Sequence, residues 1–404
     1  MRILFLLTQS LESPGGAGRF FPLAKELVRL EHQVMMVALH HDFARLAKGD
    51  RAFVRDGVQV KYVAQMHVHK ADNRKMYYGP LRLLWVTAVA TLKLTLAALT
   101  TPADAIHVCK TQPMNGLAAW FAHKIRRIPV YLDSDDYEAG NNRFASPMQQ
   151  RIVAFFEDWM PSFAQGMTVN TTFIADRFRQ LGYPPQRIVM VPNGVDRDYF
   201  ANLDTPLMQE KRQQIRTALH INPEHQVVVY VGSVSLVSHA IDLLLEAFTA
   251  VHQQIPTAHL LIVGGGEDLD NMKQLAVDLR VQDAVSFVGQ VAIEETAVYY
   301  QLGQVSVDPR RDSIAAQSSL SLKLVESIVA GTPCITTDIG DRCTLLGEAG
   351  AIVPPDNAPA LAQAITTFLS DQTRRQQARN AAQNMQASLF WDNRIQTFIT
   401  VYDL

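Results

Sequence analysis

Apolar runs of strand length, each followed by a Gly- or Pro-bearing turn and an amphipathic helix, recur along nearly the whole chain and leave few folds open to it. The run "ILFLL" (3–7), the turn "TQSLESPGGAGRF" and the helical "FFPLAKELVRL" lead into "QVMMVAL", which makes a strand–turn–helix–strand unit. Uninterrupted apolar strands alternating with helices belong to parallel sheets covered on both faces. The theme returns with "AIHV" (105–108), the helix of "MNGLAAWFAHKIRR", "VYLDSDD", "GMTVN" (166–170) and "RIVMVPNGV" (187–195). A second series begins near residue 225, with strands expected in "QVVVYVG", "AHLLIVGGG", "AVSFVG", "VSVDP" and "GTPCITTD". At 404 residues the chain exceeds one ordinary core. The expected fold class is therefore α/β, two Rossmann-like domains facing one another across a cleft. Their expected bounds are 1–192 and 193–387, with a hinge in the turn-rich "VPNGVDRDYF" near Asn193–Asp196 and a terminal helix, 388–404, packing back on the first domain.

Composition narrows the partners. The formal net charge is −2, which gives no reason to expect nucleic acid. The three cysteines, Cys109, Cys334 and Cys343, show neither a CxxC nor a metal-ligand spacing, and they point to a reducing, cytoplasmic setting. "MRILFLLTQ" is too short an apolar run for a signal peptide and reads as a first strand. "LRLLWVTAVATLKLTLAALT" (81–100) nearly reaches membrane-spanning length, but Arg82, Lys93 and its threonines favour a helix buried against a sheet. The preceding "HVHKADNRKMYYGP" (67–80), with Lys70, Arg74 and Lys75, is either a solvated loop or a basic, aromatic segment that meets an anionic membrane surface together with that helix.

Two glycine clusters, Gly16–Gly18 and Gly264–Gly266, fail the G-x-G-x-x-G spacing, so a dinucleotide site is not expected. "LSLKLVESIVAGTPCIT" (320–336) is more informative. Ser319 or Ser321 can cap a helix of about ten residues, Gly331 can end it, and Pro333 forbids its continuation. The N-terminal turn offers unpaired N–H groups and a partial positive charge, a ready anion site. Lys323 sits in that turn, where the helix dipole disfavours a cation unless an anion is bound. Arg310 and Arg311 lie just upstream, and Glu326 is one turn on, placed to accept from ligand hydroxyls. The plain alternative is a surface Lys–Glu pair. Elsewhere, "YLDSDDYE" (131–138) concentrates Asp133, Asp135, Asp136 and Glu138 at a strand end, as site carboxylates or as solvated loop acids. His107 and Lys110 in "AIHVCKTQP" follow another strand as candidates to line the cleft, with a satisfied core histidine the alternative for His107.

With these stretches quoted, the chain resembles the GT-B retaining glycosyltransferases of the large family four. The resemblance runs through "PGGAGRFFPLAKEL", "VPNGVDRDYF", "LLIVGGGE…AVSFVGQV", "LKLVESIVAGTPCITTDIGD" and the terminal "LFWDNRIQTFITVY". It implies transfer of a sugar from a nucleoside diphosphate to a hydroxyl acceptor, with the second domain holding the donor and no metal or other cofactor required. Glu326 then stands at the second glutamate of the family's E-x7-E motif and binds the donor ribose. The N–H groups of Ser319, Leu320, Ser321 and Leu322 face donor phosphate and sugar, Gly15 and Gly16 form the first-domain glycine loop, and Val288 lies near the base.

Three departures accompany the resemblance. The first glutamate of E-x7-E is Ser318, seven residues before Glu326. The usual donor-phosphate arginine and lysine are replaced by Ser233 and, approximately, His239, a weaker and pH-dependent charge for which Lys323, Arg310 and Arg311 can compensate. Asp135 takes the place of a histidine beside the transferred sugar, where a carboxylate can accept the acceptor proton or stabilise an oxocarbenium-like state. Asp133–Ser134–Asp135 is also a literal D-x-D, read here as coincidence rather than a metal motif. The expected catalytic residues are Asp135 and Glu326. The alternatives are a catalytically weak sugar-nucleotide-binding partner protein and a GT-B-fold epimerase.

Overall fold

The computed structural model describes residues 1–71, 74–142, 144, 146–236 and 239–403, and the side chains of Lys70, Ala71, Arg74, Lys75 and Tyr77 also lie outside the described set. The chain forms two compact units. One comprises Met1–Gly194, Ser318–Leu320 and the residues from Trp391 on; the other comprises Val195–Gln317 and Ser321–Phe390.

In the first unit, β1 (Arg2–Leu7), β2 (Gln33–His40), β3 (Ala52–Arg55) and β4 (Val58–Gln65) precede a separate hairpin of β5 (Val68–Ala71) and β6 (Arg74–Tyr77). They are followed by β7 (Ala105–Cys109), β8 (Val130–Ser134), β9 (Gly166–Val169) and β10 (Ile188–Met190). The eight-stranded sheet runs β10-β9-β8-β7-β1-β2-β4-β3, with only β3 antiparallel. β7 and β8 are buried along their whole length, which fits their mainly apolar sequences. β4 alternates buried with less buried residues beside the exposed edge strand β3, and the 52–77 region escaped the sequence reading for that reason.

The helices of this unit are α1 (Phe21–Arg29), α2 (Pro80–Thr100), α3 (Pro113–Arg126), α4 (Glu138–Asn141), α5 (Pro147–Trp159) and α6 (Thr172–Gln180). α2, α3 and α6 share one core with the sheet, while α1 and the terminal helix Trp391–Phe398 share the other. α2 is not the buried helix that its composition suggested. Ala90, Leu94 and Ala98 are fully buried, but only 17% of its most apolar stretch is.

The second unit carries a six-stranded parallel sheet: β11 (Gln226–Val231), β12 (Ala258–Val263), β13 (Val285–Gly289), β14 (Val305–Asp308), β15 (Cys334–Thr337) and β16 (Gly350–Val353), in the order β13-β12-β11-β14-β15-β16. The short β16 and the polar helix Gln372–Gln386 were not foreseen. The helix expected at 320–330 spans Leu322–Val329, and Ser321 precedes it without a side-chain cap bond. Gly331 stops it with φ +73°, a conformation that favours glycine.

Arg19 holds the first unit together. A π turn over Gly16–Phe20, leading into α1, places its guanidinium wholly inside. Nε and Nη2 donate to the two oxygens of Asp133 at 2.9 and 2.8 Å, and Nη1 donates to Val191 O and Asn193 Oδ1, both at 3.0 Å. The group also lies 5.7 Å from the ring centre of Trp391. Removing one partner of a buried ion pair strands the other, at a cost of about 3–5 kcal/mol. Arg19→Met should therefore lower the urea-unfolding free energy of the first unit by about 3 kcal/mol; an unchanged midpoint would remove this account of the unit's stability.

Candidate functional site

In an open parallel sheet, ligands bind beyond the carboxyl ends of strands where the strand order reverses. The first sheet reverses between β1 and β7, the second between β11 and β14. Gly15, Gly16, Lys110 and the acidic turn lie at the first of these places, and Ser233, His239, Arg310, Lys323 and Glu326 at the second.

At the first, the glycine loop after β1 meets the segment after β7. A Cβ on Gly16 would fall 2.2 Å from Ser10 O, so Gly16 must lack a side chain for the loop to close on itself. A Cβ on Gly15 would lie 3.3 Å from Lys110 Cε, which puts the loop against that lysine. Lys110 adopts φ +68°, and Asn115 Nδ2 donates to the carbonyls of Cys109 and Lys110 at 2.9 and 3.0 Å to hold the turn. Its buried Nζ lies 2.9, 2.8 and 2.9 Å from Asp135, Asp136 and Glu138. Gln112 and Asn142 both donate to Glu138 Oε2. Glu157 accepts the backbone N–H groups of Glu138 and Ala139 at 2.7 and 2.9 Å, anchoring the acidic turn.

Burial works against Lys110's charge, yet its three carboxylates outweigh that effect and hold the ammonium well above its usual range. Burial also raises Glu138, but Lys110 overcomes it and keeps that carboxylate charged. Asp135 goes the other way. Desolvation, with the added charges of Asp136 and Asp133, outweighs Lys110 and pushes it up to about 7. Burial and Glu138 push Glu157 to about 8. Such a spread within one cluster provides both proton acceptors and fixed charges. The D-x-D splits: Asp133 pairs with Arg19, while Asp135 pairs with Lys110, whose ammonium already sits among the acidic groups.

At the second place, Lys323 reaches over the end of β11. A Cβ on Gly232 would fall 1.8 Å from its Cε. Lys323 Nζ donates to His239 Nε2 at 3.1 Å. Asp308, buried at the end of β14, has Arg310 Nε at 3.8 Å from one oxygen and Arg342 Nε at 3.8 Å from the other. Lys323, Arg310 and Arg342 thus share the site with Asp308 and Glu326, and desolvation followed by Arg310 lowers Lys323 to about 8. Burial brings Arg342 to about 10. Asp308 is raised by burial but held down by Arg310, Lys323 and Arg342. Glu326 accepts from the Tyr300 hydroxyl at 3.0 Å, and desolvation raises it to about 7.

The sequence-predicted residues divide. Lys323, Glu326, Arg310 and His239 belong to this second group, with Ser233 at the end of β11, where its carbonyl accepts from Tyr230 OH at 2.8 Å. Ser321 and half-buried Leu322 start the helix, Val288 lies half-buried on β13, and Ser319 and Leu320 cluster with the first unit. His239 is not the pH-dependent charge expected of it. Burial, Arg310, Lys323 and Arg342 all depress it well below its usual range, so it stays neutral and accepts from Lys323. Arg311 turns to Asp242 and Asp356 rather than to Lys323. His107 is a core residue, stacked on Phe5 and bonded to Tyr402 OH at 3.0 Å. Arg342 and Arg19 were missed. The first follows β15 and joins the site only through topology; the second lay inside a quoted motif as a lone buried-range arginine.

Residues 15–194 match the family described as Glycosyl transferase 4-like domain, and residues 225–371 match Glycosyl transferases group 1. Alpha-monoglucosyldiacylglycerol synthase of Streptococcus pneumoniae is 24% identical over 235 residues, 57% of this chain and 51% of that protein. D-inositol 3-phosphate glycosyltransferase of Geodermatophilus obscurus is 27% identical over 269 residues, 63% of this chain and 56% of that one. The chain thus spans about half the length of these curated relatives. Among solved structures, Anabaena Alr3699/HepE in complex with UDP-glucose superposes with TM-score 0.73 at 18% identity, covering 100% of both chains. Sucrose-phosphate synthase from Thermosynechococcus elongatus does so with TM-score 0.75 at 18% identity, covering 100% of this chain and 98% of that one. The fold is that of the two-domain, Rossmann-like GT-B proteins.

In carboxyl-labelled protein followed by NMR, Asp135 should titrate near 7, and Lys110→Met should move its midpoint higher. A midpoint near the ordinary value of about 4 would mean that the cluster is solvated.

Proposed function

Because the chain belongs to the group 1 glycosyl transferases, we propose that it moves a hexosyl unit from a nucleoside-diphosphate sugar to a hydroxyl acceptor, with retention at the anomeric carbon. The observation that carries the reading is the gathering of Lys323, Arg310 and Arg342 at the strand-order reversal of the second sheet, around Asp308 and beside Glu326. A diphosphate is the ligand such a group of cations would hold. Lys323 and Arg310 neutralise it, helped by N–H groups of Ser321 and Leu322 at the helix start. Glu326, aimed by Tyr300, accepts from the ribose hydroxyls, while Ser233 and Val288 border the nucleotide.

In the first unit, Asp135 takes the acceptor proton or stabilises developing positive charge on the sugar. Its elevated pKa suits a group that gains a proton near neutrality. Gly15 and Gly16 bring backbone close to the ligand. No metal is needed, since fixed cations neutralise the leaving diphosphate. HepE holds UDP-glucose in its structure, and the names of the relatives speak of diacylglycerol and inositol phosphate. These support a nucleotide-sugar donor and an acceptor in glycolipid or other glycan synthesis. The proposed location is the cytoplasm, with peripheral contact at the membrane around residues 67–100.

Ser318 and Ser233, standing where the family has a glutamate and an arginine, favour a second reading as a binding partner with little turnover. That reading predicts nucleotide binding without nucleotide release on adding acceptor. Calorimetry with nucleoside diphosphates tests both. One nucleotide should bind, and Lys323→Met or Glu326→Ala should weaken it by about tenfold to a hundredfold. Absence of binding to any of them by a folded sample would overturn the donor site.

The pH dependence has a definite sign. Lys323 must be protonated to hold a diphosphate, so affinity should fall as pH rises above about 8. Glu326 must be ionised to accept hydroxyls, so affinity should also fall as pH drops below about 7. A bell between these limbs, losing its alkaline limb in Lys323→Met, is the expected calorimetric profile. Turnover should survive EDTA; its abolition, with rescue by Mg²⁺ or Mn²⁺, would show that a metal takes part.

A further inference from the structure

Most of the large apolar side chains that are exposed among the described residues belong to α2, α3 and α5 of the first unit. α2 packs on α3, and α3 on α5. On α2, Leu81 is 86% and Trp85 is 71% exposed, and Leu84, Leu92 and Leu96 continue the same outward stripe. These alternate with the buried stripe of Ala90, Leu94 and Ala98 that seats the helix on the sheet. α3 adds Phe121 and Ile125, and α5 adds Met148, Ile152 and Phe155 at three- and four-residue spacing. An exposed apolar surface on this scale marks an interaction site in a folded protein.

The charge on this layer has one sign. Neither α2 nor α3 contains an acidic residue. Arg82 and Lys93 are exposed on α2, Lys124 and Arg127 at the end of α3, and Arg151 on α5. Of the two acids on α5, Glu157 is buried and Asp158 pairs with Arg177. Arg82 also lies over the ring of Tyr78, 4.8 Å from its centre, at the start of α2. Exposed leucine and aromatic side chains bordered by lysine and arginine, with acidic groups excluded, match the layered chemistry of a bilayer surface: acyl chains below, anionic headgroups above.

We infer that the outward face of α2, α3 and α5 docks on an anionic lipid bilayer, with α2 lying in the plane of the interface. It extends the peripheral membrane contact proposed above and stands whether or not the protein transfers a sugar. α2, with 21 residues, is long and apolar enough to cross a bilayer by length and composition alone. It does not cross, because Leu94, Ala90 and Ala98 belong to the core shared with Leu4, Leu6 and Val108, and extracting the helix would open that core to water. The basic residues of 67–80 lie outside the described side chains and are not needed: Lys93, Lys124 and Arg151 supply the charge.

The test is co-sedimentation of the full chain with vesicles of phosphatidylglycerol and phosphatidylcholine, and with phosphatidylcholine alone. Wild type should bind the anionic vesicles at least about tenfold more strongly than the neutral ones, and salt should weaken the binding. Leu81→Gln/Leu84→Gln/Trp85→Gln changes only exposed positions, so it should fold normally while losing about tenfold or more in vesicle affinity. Lys93→Gln/Lys124→Gln should lose the anionic preference alone. Equal vesicle binding by wild type and the apolar variant, or none by wild type, overturns the inference. So does a dimer that the apolar variant converts to monomer without any vesicle binding, which would assign the face to a second copy. Nucleotide calorimetry on the same samples reads the donor site separately, so failure there leaves the vesicle result intact.

Discussion

The first unit depends on one buried guanidinium. Arg19 binds both oxygens of Asp133 and two acceptors in the 191–193 segment, and it lies against the indole of Trp391. Asp133 in turn accepts from Thr168 Oγ1 at 2.7 Å. A charge buried this deeply survives only when every donor direction is met, so the network fixes the end of β8 as well as Arg19 itself. The acidic turn begins one residue later. Asp135, Asp136 and Glu138 can converge on Lys110 because the strand delivering them is held from beneath by a different cation.

The second unit uses an opposite strategy. Its cations are placed together, and burial first, with the charge of Arg310 added, lowers Lys323 and Arg342. Where the first unit surrounds Lys110 with three carboxylates, the second sets Lys323 beside two further cations. His239 belongs to that design as a neutral acceptor which orients the ammonium without adding to the repulsion.

Fold class was legible because β1, β7, β8, β11 and β12 are almost wholly buried and therefore read as mainly apolar runs. The 52–77 region was not, since a half-exposed edge strand and a hairpin leave weaker patterns than a buried strand. The roles offered for Lys323 and Glu326 came from their spacing on one helix, a local property. Arg342, Asp308 and Gly232 join them from the ends of other strands, and only the folded sheet brings such positions together. His239 shows a further limit: a residue type suggests a charge, but the neighbouring cations decide whether it is carried. α2 shows another, for composition alone could not distinguish a helix sealed in a core from one seated by a single stripe.

The contact between Trp391 and the carbonyl of Gly18 joins positions 373 residues apart. Chains emerge from the ribosome in order, and domains tend to form as they appear. This first unit cannot finish in that order. While residues 195–390 are being made, the apolar face of α1 and one side of Arg19 wait uncovered for the segment that begins at Trp391. The unit synthesised first is thus the last to close, and during that interval it exposes the same kind of surface that chaperones recognise.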